Sequence, residues 1–458
     1  MNKSLRFSLE SILILLLALL IFTPGFYRNQ WMAAGRKWFY DWQKNNEHMV
    51  IARLVESRQS GVFSYGALLG FGNITTWSDD AQNPGLEYQA YLEEGKFQSY
   101  FVYTSVPGIQ GIFFSVFEQL TNFSPGLNLK IFHGVISLLS AFVLGLFVYW
   151  TSKELGRSAG LLTLVFIAFS EWMTLFGGNI YWNLWAFYLP LIASSFYLMK
   201  NSISEMYNHS NLGILLAITM LIKCLFTGFE YITTALMMPL VPFIFYAIRD
   251  SWGWSKFIGR SLRASLGLLT GATVGLFILI WQITQVKGGF QEAVGTILHA
   301  LGRRSFGDPS QYIGLEAESL NAALLPVLIK YINGRAILLS QILHTTNFSM
   351  EVSYLVLFTA FLILTILLIT MMKLSGYPMN QLTSTALIVT TWVSAIAPIS
   401  WLILFKSHSY IHTHLNYIIW QMPFTLYGFA LCGYTMGVVM NLLSRDKYSR
   451  IYRLEPSE

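Results

Sequence analysis

Acidic and basic side chains that could do chemistry stand beside or inside apolar stretches of the chain. Glu47 follows the first apolar stretch, and apolar residues recur after it at positions 50, 51, 54 and 55 with helical spacing. We therefore expect Glu47 to open a short helix, where an acid is stabilised as the anion. Such a carboxylate could act as a general base, or it could only cap a surface helix.

Polar residues also occur where the chain enters or leaves apolar runs, and inside a bilayer such residues are costly. Lys223 precedes the end of one run, and Glu230 follows where the chain turns into the next. Either they bind a ligand, or Lys223 reaches the interface and pairs with Glu230 structurally. Glu171 and the polar-aromatic run 179–183 lie at similar depth, where an aromatic belt is the alternative interpretation.

The densest group of candidate ligands is the segment 406–414, Lys-Ser-His-Ser-Tyr-Ile-His-Thr-His. His408 and His412 are four residues apart, so a helix would place them on one face. A zinc site needs three or four ligands, but the segment has no nearby Cys and no H-E-x-x-H pattern. Histidine and lysine donors to a phosphate are the preferred interpretation, and Arg303 and Arg304 could serve the same purpose.

The composition restricts the class of protein that positions these residues. Of 458 residues, 54% are hydrophobic, 16% aromatic and only 11% charged, and mean hydropathy is +0.51. These values exclude a soluble enzyme, a disordered protein and a disulfide scaffold. The net charge of the chain is +6. In a membrane protein the surplus Lys and Arg usually lie in cytoplasmic loops, so this charge does not imply a nucleic-acid partner. We expect one integrated all-α membrane domain over residues 1–458.

A bilayer core of about 30 Å requires roughly 20 apolar residues per helix, which predicts about ten spans. They lie near 10–25, 131–151, 159–177, 180–199, 211–228, 230–248, 265–286, 353–373, 383–405 and 415–442. No small-residue cleavage site follows the first, so we expect a retained signal-anchor helix rather than a signal peptide.

Lys and Arg in the short loops predict the orientation of the spans. With ten spans, the basic loops at 153–157, 200, 249–263 and 373 and both termini fall on the cytoplasmic side. Two large loops, 26–130 and 287–352, then lie on the extracytoplasmic side. The segment 111–117 in the first is amphipathic, which predicts an interfacial helix.

This topology brings the candidate residues to the outer face. No P-loop, GxGxxG, GxSxG or CxxC pattern occurs in the chain. Any active site is therefore expected to be extracytoplasmic and to take an activated lipid as donor. The acid after the first span would accept a proton from an acceptor hydroxyl, and the basic residues would stabilise a departing lipid phosphate.

Several segments of the chain resemble the GT-C superfamily of polyprenyl-linked glycosyltransferases, which includes oligosaccharyltransferase catalytic subunits, protein O-mannosyltransferases and lipid A aminoarabinose transferases. Glu47, then Arg53 and Gly-Val-Phe at 61–63, is similar to the acid, arginine and G-x-[FY] pattern of their first outer loop. The segment 103–111 resembles the end of that loop, and 130–190 resembles the paired helices that follow. The family usually has Asp, or Asp-Glu, where this chain has Asn46-Glu47.

The resemblance implies inverting transfer of a sugar from a polyprenyl-phosphate donor to an acceptor on the outer face, in cell-envelope polysaccharide or glycoconjugate synthesis. Glu47 would be the base. The second acid that many members use would be Asp79, Asp80 or Glu230. The basic residues implied in substrate or phosphate contacts are Arg53, Lys223, Arg303, Arg304, Lys406, His408 and His412. No cofactor is required, although some members use a divalent metal at the acids. A bacterial plasma membrane is the simplest location.

Two other functions compete with this interpretation. An O-antigen ligase or polymerase would also face outward, but Arg303 and Arg304 would carry its chemistry and Glu47 would be dispensable. A secondary transporter would place functional polar residues near the midplane between repeated broken helices. No internal repeat is visible in the sequence, which counts against transport.

Overall fold

The computed structural model describes residues 9–73, 84–202, 209–343, 350–374 and 380–452, which are mainly helical. The helices are α1 (Leu9–Arg28), α2 (Arg36–Ser60), α3 (Pro84–Leu92), α4 (Ile109–Thr121), α5 (Pro125–Leu155), α6 (Arg157–Ala168), α7 (Glu171–Gly177), α8 (Leu184–Asn201), α9 (His209–Thr227), α10 (Ile232–Met237), α11 (Val241–Arg249), α12 (Trp254–Lys287), α13 (Phe290–Arg304), α14 (Leu315–Asn321), α15 (Leu324–Ile332), α16 (Leu339–Ile342), α17 (Tyr354–Leu374), α18 (Gln381–Ser394), α19 (Ile396–Leu404), α20 (Lys406–Ile411), α21 (Thr413–Asn416) and α22 (Phe424–Tyr452).

Two short antiparallel ribbons accompany the helices. Strand β1 (Gly70–Asn73) pairs with β2 (Ser99–Val102), and β3 (Arg335–Leu338) pairs with β4 (Glu351–Ser353). Both ribbons lie in the two loops that the sequence predicts to be large. They add a little strand to a chain that is otherwise all-α.

Six helical stretches among the described residues are long and apolar enough to cross a membrane. They are Pro125–Leu155, Ile232–Arg249, Trp254–Lys287, Tyr354–Lys373, Gln381–Leu404 and Phe424–Ser444. Helices α6 and α7 would add one more as a pair bent by 71°, and shorter apolar helices cover Ile12–Arg28 and Asn211–Thr227. These helices support an all-α membrane protein, while the count of ten spans stays a prediction.

Helices α9 and α12 approach each other closely through small residues. A Cβ built on Gly267 would lie 2.3 Å from the carbonyl oxygen of Gly213, and one on Gly271 would lie 2.2 Å from that of Ala217. Apolar helices in a membrane associate through such close backbone packing, because the surrounding lipid provides no hydrophobic driving force for helix association. Helix α12 therefore holds α9 along much of its length.

Polar contacts join the helices at one end of the bundle. Arg249 at the end of α11 pairs with Glu154 at the end of α5. Arg260 in the early turns of α12 donates a hydrogen bond to the carbonyl of Ser202, just beyond α8 (2.9 Å). The cavity described below lies at the opposite ends of these helices, which we call the cavity end.

Helix α2 is longer than the sequence predicts, and Glu47 lies near its middle rather than opening it. The prediction was wrong because the buried positions continue upstream through Phe39 and Trp42, at the same helical spacing as Asn46 and Met49. The dipole of a helix N-terminus therefore does not act on Glu47. The segment 111–117 lies in α4, whose Phe114 is buried while Phe113 is exposed.

Candidate functional site

A cavity of about 650 Å³ opens at the cavity end of the bundle. Its walls come from segments far apart in the chain. The polar and aromatic residues that line it are Asn45, Asn46, Phe71, Tyr103, Tyr181, Trp182, Glu230, Arg303, Arg304, Glu316, His408, His412 and Asn416. The candidate residues Glu230, Arg303, Arg304, His408 and His412, which the sequence predicts to lie near the outer face, thus line one cavity.

An ion pair between Glu230 and Arg304 forms the charged centre of this cavity. Nη1 of Arg304 lies 2.8 Å from Oε1 of Glu230, and Nη2 donates to the hydroxyl of Tyr103 at 3.3 Å. Nε2 of His408 lies 3.4 Å from Oε2 of Glu230. The side chains of Arg304 and Glu230 are only 12% and 5% exposed, so water screens their charges weakly.

The charge states at this centre follow from burial and from the pair itself. Burial would raise the pKa of Glu230, but the surrounding basic groups, of which Arg304 has the largest effect, together lower that pKa below the usual carboxyl value. Burial would lower the pKa of Arg304, but Glu230, with smaller contributions from Tyr103 and Tyr181, raises that pKa above its usual range. Burial lowers the pKa of His408 to about 3, against a weaker opposing effect of Glu230. At neutral pH the centre is therefore a carboxylate, a guanidinium and a neutral imidazole.

Two atoms of this centre lack hydrogen-bond partners among the described residues. They are Nε of Arg304 and Oε2 of Glu230, and both are buried. Buried polar atoms in proteins are nearly always satisfied, so each such atom calls for an explanation, such as a bound ligand or water. The pair thus has one buried donor and one buried acceptor whose hydrogen bonds the described residues do not supply.

An apolar groove of about 210 Å³ adjoins the cavity at Arg304. It runs between α12 and α13, and its apolar lining includes Phe229, Ile232, Leu276, Leu279, Ile297, Leu301 and Phe405. Arg304 lines both spaces. A molecule with a polar part, an anionic group and an apolar chain matches this succession of surfaces.

Arg303 and the two histidines complete the basic wall. Nη1 of Arg303 lies 2.8 Å from Oε1 of Glu316 on α14, and both side chains are about one-third exposed. The rings of His408 and His412 lie 4.7 Å apart between centroids. The two histidines therefore share one wall, as their spacing predicts, although α20 ends at Ile411.

Lys223 and Lys406 donate hydrogen bonds to backbone carbonyls and do not line the cavity. Nζ of Lys223 is buried and donates to the carbonyls of Gly228 and Glu230, at 2.8 and 2.6 Å. Nζ of Lys406 donates to the carbonyl of Leu320 at 2.9 Å. Lys223 therefore fixes the turn that carries Glu230, through its backbone rather than by pairing with its carboxylate.

Arg53 also serves a local purpose. Its guanidinium is buried and donates to the carbonyls of Gly61, Val62 and Ser64 and to the hydroxyl of Ser57, at 2.8 to 3.2 Å. Gly61, with a φ of +97°, ends α2 at this point. Arg53 closes the turn after α2 and does not line the cavity.

Glu47 does not line the cavity, because it points about 100° away from the cavity-lining Asn46 around α2. It is fully buried and accepts hydrogen bonds from the hydroxyl of Tyr88 (2.6 Å) and the backbone N–H of Ile180 (3.0 Å). Nε2 of His133 lies 2.8 Å from Oε2 of Glu47. The neighbouring Asn46 faces the cavity instead, and its Oδ1 accepts a hydrogen bond from Nε1 of Trp182 at 2.9 Å.

Glu171 is paired structurally. Its two carboxylate oxygens lie 2.6 Å from Nε and Nη2 of Arg335, which ties α7 to β3. Asp79 and Asp80 lie outside the described residues. Within the described ranges, no group of three or more His, Cys, Asp or Glu side chains could hold a metal ion.

Sequence reasoning missed Tyr103 as a partner of Arg304, and His133 and Tyr88 as partners of Glu47. His133 had a readable signal, because it is a polar residue in the first turns of an otherwise apolar span. The tyrosines had none, since aromatic residues are frequent throughout this chain.

Comparisons with known proteins give no relative for this chain. It matches no protein-family model, no curated protein and no solved structure.

Proposed function

We propose that this chain is a membrane glycosyltransferase that takes a sugar from a polyprenyl-phosphate-linked donor and transfers it to an acceptor hydroxyl. One observation carries the proposal: Arg304 lines both the polar cavity and the apolar groove. A lipid phosphate at Arg304 would place the prenyl chain in the groove and the sugar in the cavity. The partly exposed Arg303 would face the same anion.

The contents of the cavity suit a carbohydrate. Sugars are held by aromatic faces and by groups that both donate and accept hydrogen bonds, and Tyr181, Trp182, Asn45 and Asn416 line this space. The guanidinium of Arg304 lines this space and supplies charged donors suited to a phosphate oxygen.

We assign the base to Glu230, which the resemblance offers as a second acid, in place of Glu47. The acceptor oxygen attacks the anomeric carbon as the bond from that carbon to the phosphate oxygen breaks. The electron pair of that bond leaves with the lipid phosphate, whose charge Arg304 stabilises. The hydroxyl proton passes to the carboxylate of Glu230, which its lowered pKa keeps ionised at neutral pH.

We place the cavity end on the extracytoplasmic side and both termini in the cytoplasm. The support is the distribution of Lys and Arg, because Lys153, Lys200, Arg249 and Lys256 lie in the terminal turns of helices at the other end. A bacterial plasma membrane stays the simplest location. Use of a divalent metal stays a prediction.

An O-antigen ligase or polymerase type of enzyme is the second candidate. The placement of Arg303 and Arg304 in the cavity, with Glu47 outside it, is what that candidate predicts. Both candidates take a lipid-linked donor, so the donor separates them. A single sugar on a monophosphate supports the first, and a glycan chain on a diphosphate supports the second. Secondary transport is less favoured, because the charged centre lies at helix ends and connections.

Binding of undecaprenyl phosphate to the purified protein, measured by native mass spectrometry, tests the shared part of the proposal. We expect saturable binding that Arg304→Gln weakens by about tenfold or more, since a charge-assisted hydrogen bond contributes about 1.5–3 kcal/mol. Arg263→Gln is the matched control, because Arg263 is exposed near the other end of α12. Equal binding by the two variants, or no preference over bulk phospholipid, would contradict the proposal.

A further inference from the structure

The side of α2 that faces away from the cavity borders a second pocket of about 340 Å³, which we call the back pocket. The end of α1, the first half of α2, Tyr88 of α3 and the start of α5 form its walls. Its aromatic lining includes Phe26, Tyr27, Tyr40 and Tyr88, and its polar lining includes Lys44, Glu47 and His133. None of these residues lines the cavity.

The inner wall of the back pocket contains a hydrogen-bond acceptor, the carboxylate of Glu47. A carboxylate can accept about four hydrogen bonds. The hydroxyl of Tyr88 and Nε2 of His133 contact Oε2 of Glu47, while Oε1 accepts only the N–H of Ile180. Oε1 therefore retains capacity for a further hydrogen bond at the inner wall of the pocket, which Glu47 lines.

The rim of the back pocket is positively charged. Lys44 lines the pocket and is exposed, and the guanidinium of Arg28 stacks 4.9 Å from the ring of the lining Tyr27. Lys37 and Lys130 are exposed and lie one helical turn from the lining residues Tyr40 and His133. The nearby Asp41 neutralises only Lys37, its partner at 2.5 Å. An anion is therefore favoured at the mouth.

An exposed apolar surface runs down from the back pocket. Phe26 lies near the end of α1 and His133 near the start of α5, and these two helices pack side by side. Below them Leu20 of α1 and Leu138 of α5 expose 72% and 50% of their surface. In a membrane protein such side chains face lipid chains.

We propose that the back pocket binds the headgroup of an anionic phospholipid that carries free hydroxyl groups, for which phosphatidylglycerol is the probe. The phosphate lies beside Lys44 at the rim, a headgroup hydroxyl donates to Glu47, and the acyl chains follow α1 and α5. A choline headgroup is disfavoured twice, since its cation meets the basic rim and it has no hydroxyl to donate. The site is independent of the proposed function, because α2 separates it from Glu230 and Arg304.

Native mass spectrometry of the full chain in detergent, titrated with lipids of identical acyl chains, tests this proposal. We expect the wild type to bind phosphatidylglycerol about tenfold more tightly than phosphatidylcholine, with phosphatidic acid between them. Lys44→Ala should weaken binding of both anionic lipids by up to about fivefold. Lys287→Ala, which removes an exposed lysine at the end of α12, is the matched control. Glu47→Gln should remove the preference for phosphatidylglycerol over phosphatidic acid.

Three results would overturn the proposal. The first is equal binding of phosphatidylglycerol and phosphatidylcholine by the wild type. The second is identical behaviour of Lys44→Ala and Lys287→Ala. The third is equal binding of phosphatidylglycerol and phosphatidic acid, which would remove the hydroxyl contact. If Glu47→Gln does not fold, the lipid preferences of the wild type and of Lys44→Ala still test the proposal. Binding of undecaprenyl phosphate tests the proposed function separately.

Discussion

Arg53 of α2 and Arg304 of α13 are both buried arginines that lie outside the predicted spans, yet their surroundings differ. The guanidinium of Arg53 donates to three backbone carbonyls and two serine hydroxyls around the turn after α2. Arg304 meets one carboxylate and one tyrosine hydroxyl, and its Nε has no hydrogen-bond partner among the described residues. The first arginine is fully occupied by its own chain, whereas the second retains a donor beside a cavity.

The difference shows that a buried charge alone does not identify a functional site. A buried guanidinium must be satisfied, and backbone carbonyls satisfy it as well as a substrate would. The informative combination is a buried charge, an unpartnered atom and an adjoining space large enough for a ligand. Glu47 and Glu230 differ in a similar way, because three groups of the protein contact Glu47 while Oε2 of Glu230 accepts no hydrogen bond from the described residues.

The largest expected effect is on the chemistry at Glu230. Glu230→Gln removes the proposed base and should lower turnover by roughly 10²–10⁴-fold, with little change in undecaprenyl phosphate binding. Glu47→Gln, the same change on the other face of α2, should leave turnover within a few-fold of the wild type. Turnover with a radiolabelled lipid-linked sugar donor measures both. The opposite ranking of the two variants would return the base to Glu47.

Next in size is a loss of stability at Arg53. Arg53→Gln leaves one buried and two partly buried carbonyls around the end of α2 without donors, which should cost about 1–3 kcal/mol. Thermal unfolding in detergent should show a clearly lower midpoint. Protein that remains folded at low temperature should still bind undecaprenyl phosphate, unlike Arg304→Gln. A variant with normal stability but lost lipid binding would place Arg53 among the substrate contacts that the GT-C resemblance implies.

The smallest effect is a pH dependence that comes from His408. Its pKa is about 3 in the folded protein and about 6.5 when unfolded, so the unfolded chain binds more protons between these values. Stability should therefore be complete above pH 6.5 and fall as pH decreases, by at most about 1.4 kcal/mol per pH unit. Glu230, whose pKa is lowered, adds its own loss only at more acidic pH.

Thermal midpoints between pH 7.5 and 5 measure this dependence. His408→Gln should flatten the curve in that range, whereas His299→Gln, which changes a histidine outside the cavity, should leave it unchanged. Equal slopes for all three proteins would show that His408 is not the buried neutral histidine of this centre.

Much of the cavity could be predicted because charge and topology constrain it together. Glu230, Arg303, Arg304, His408 and His412 follow or precede apolar runs at the same end, so antiparallel helices bring them together. Residue type could not distinguish Lys223 and Lys406 from them. Each is a cation next to a helix end, and whether it meets a backbone carbonyl or a ligand depends on distances of a few ångströms.

The choice between Asn46 and Glu47 was also beyond the sequence. Adjacent residues on a helix point about 100° apart, and apolar residues surround both sides of α2. The pattern therefore indicates a helix without indicating which of its sides faces the cavity. That direction is decided by Trp182, His133 and Tyr88, whose positions depend on the whole fold.

The close contact between α9 and α12 has a mechanical consequence for the charged centre. Lys223 of α9 donates hydrogen bonds to the backbone of the turn that carries Glu230. Helix α12 is followed by Gly288 and then by α13, which ends at Arg304. The two partners of the ion pair are thus connected to two different helices, α9 and α12. These helices pack closely against each other at Gly213, Ala217, Gly267 and Gly271. Sliding of α9 along α12 would therefore change the distance between the carboxylate of Glu230 and the guanidinium of Arg304, which couples the packing of these two helices to the geometry of the ion pair.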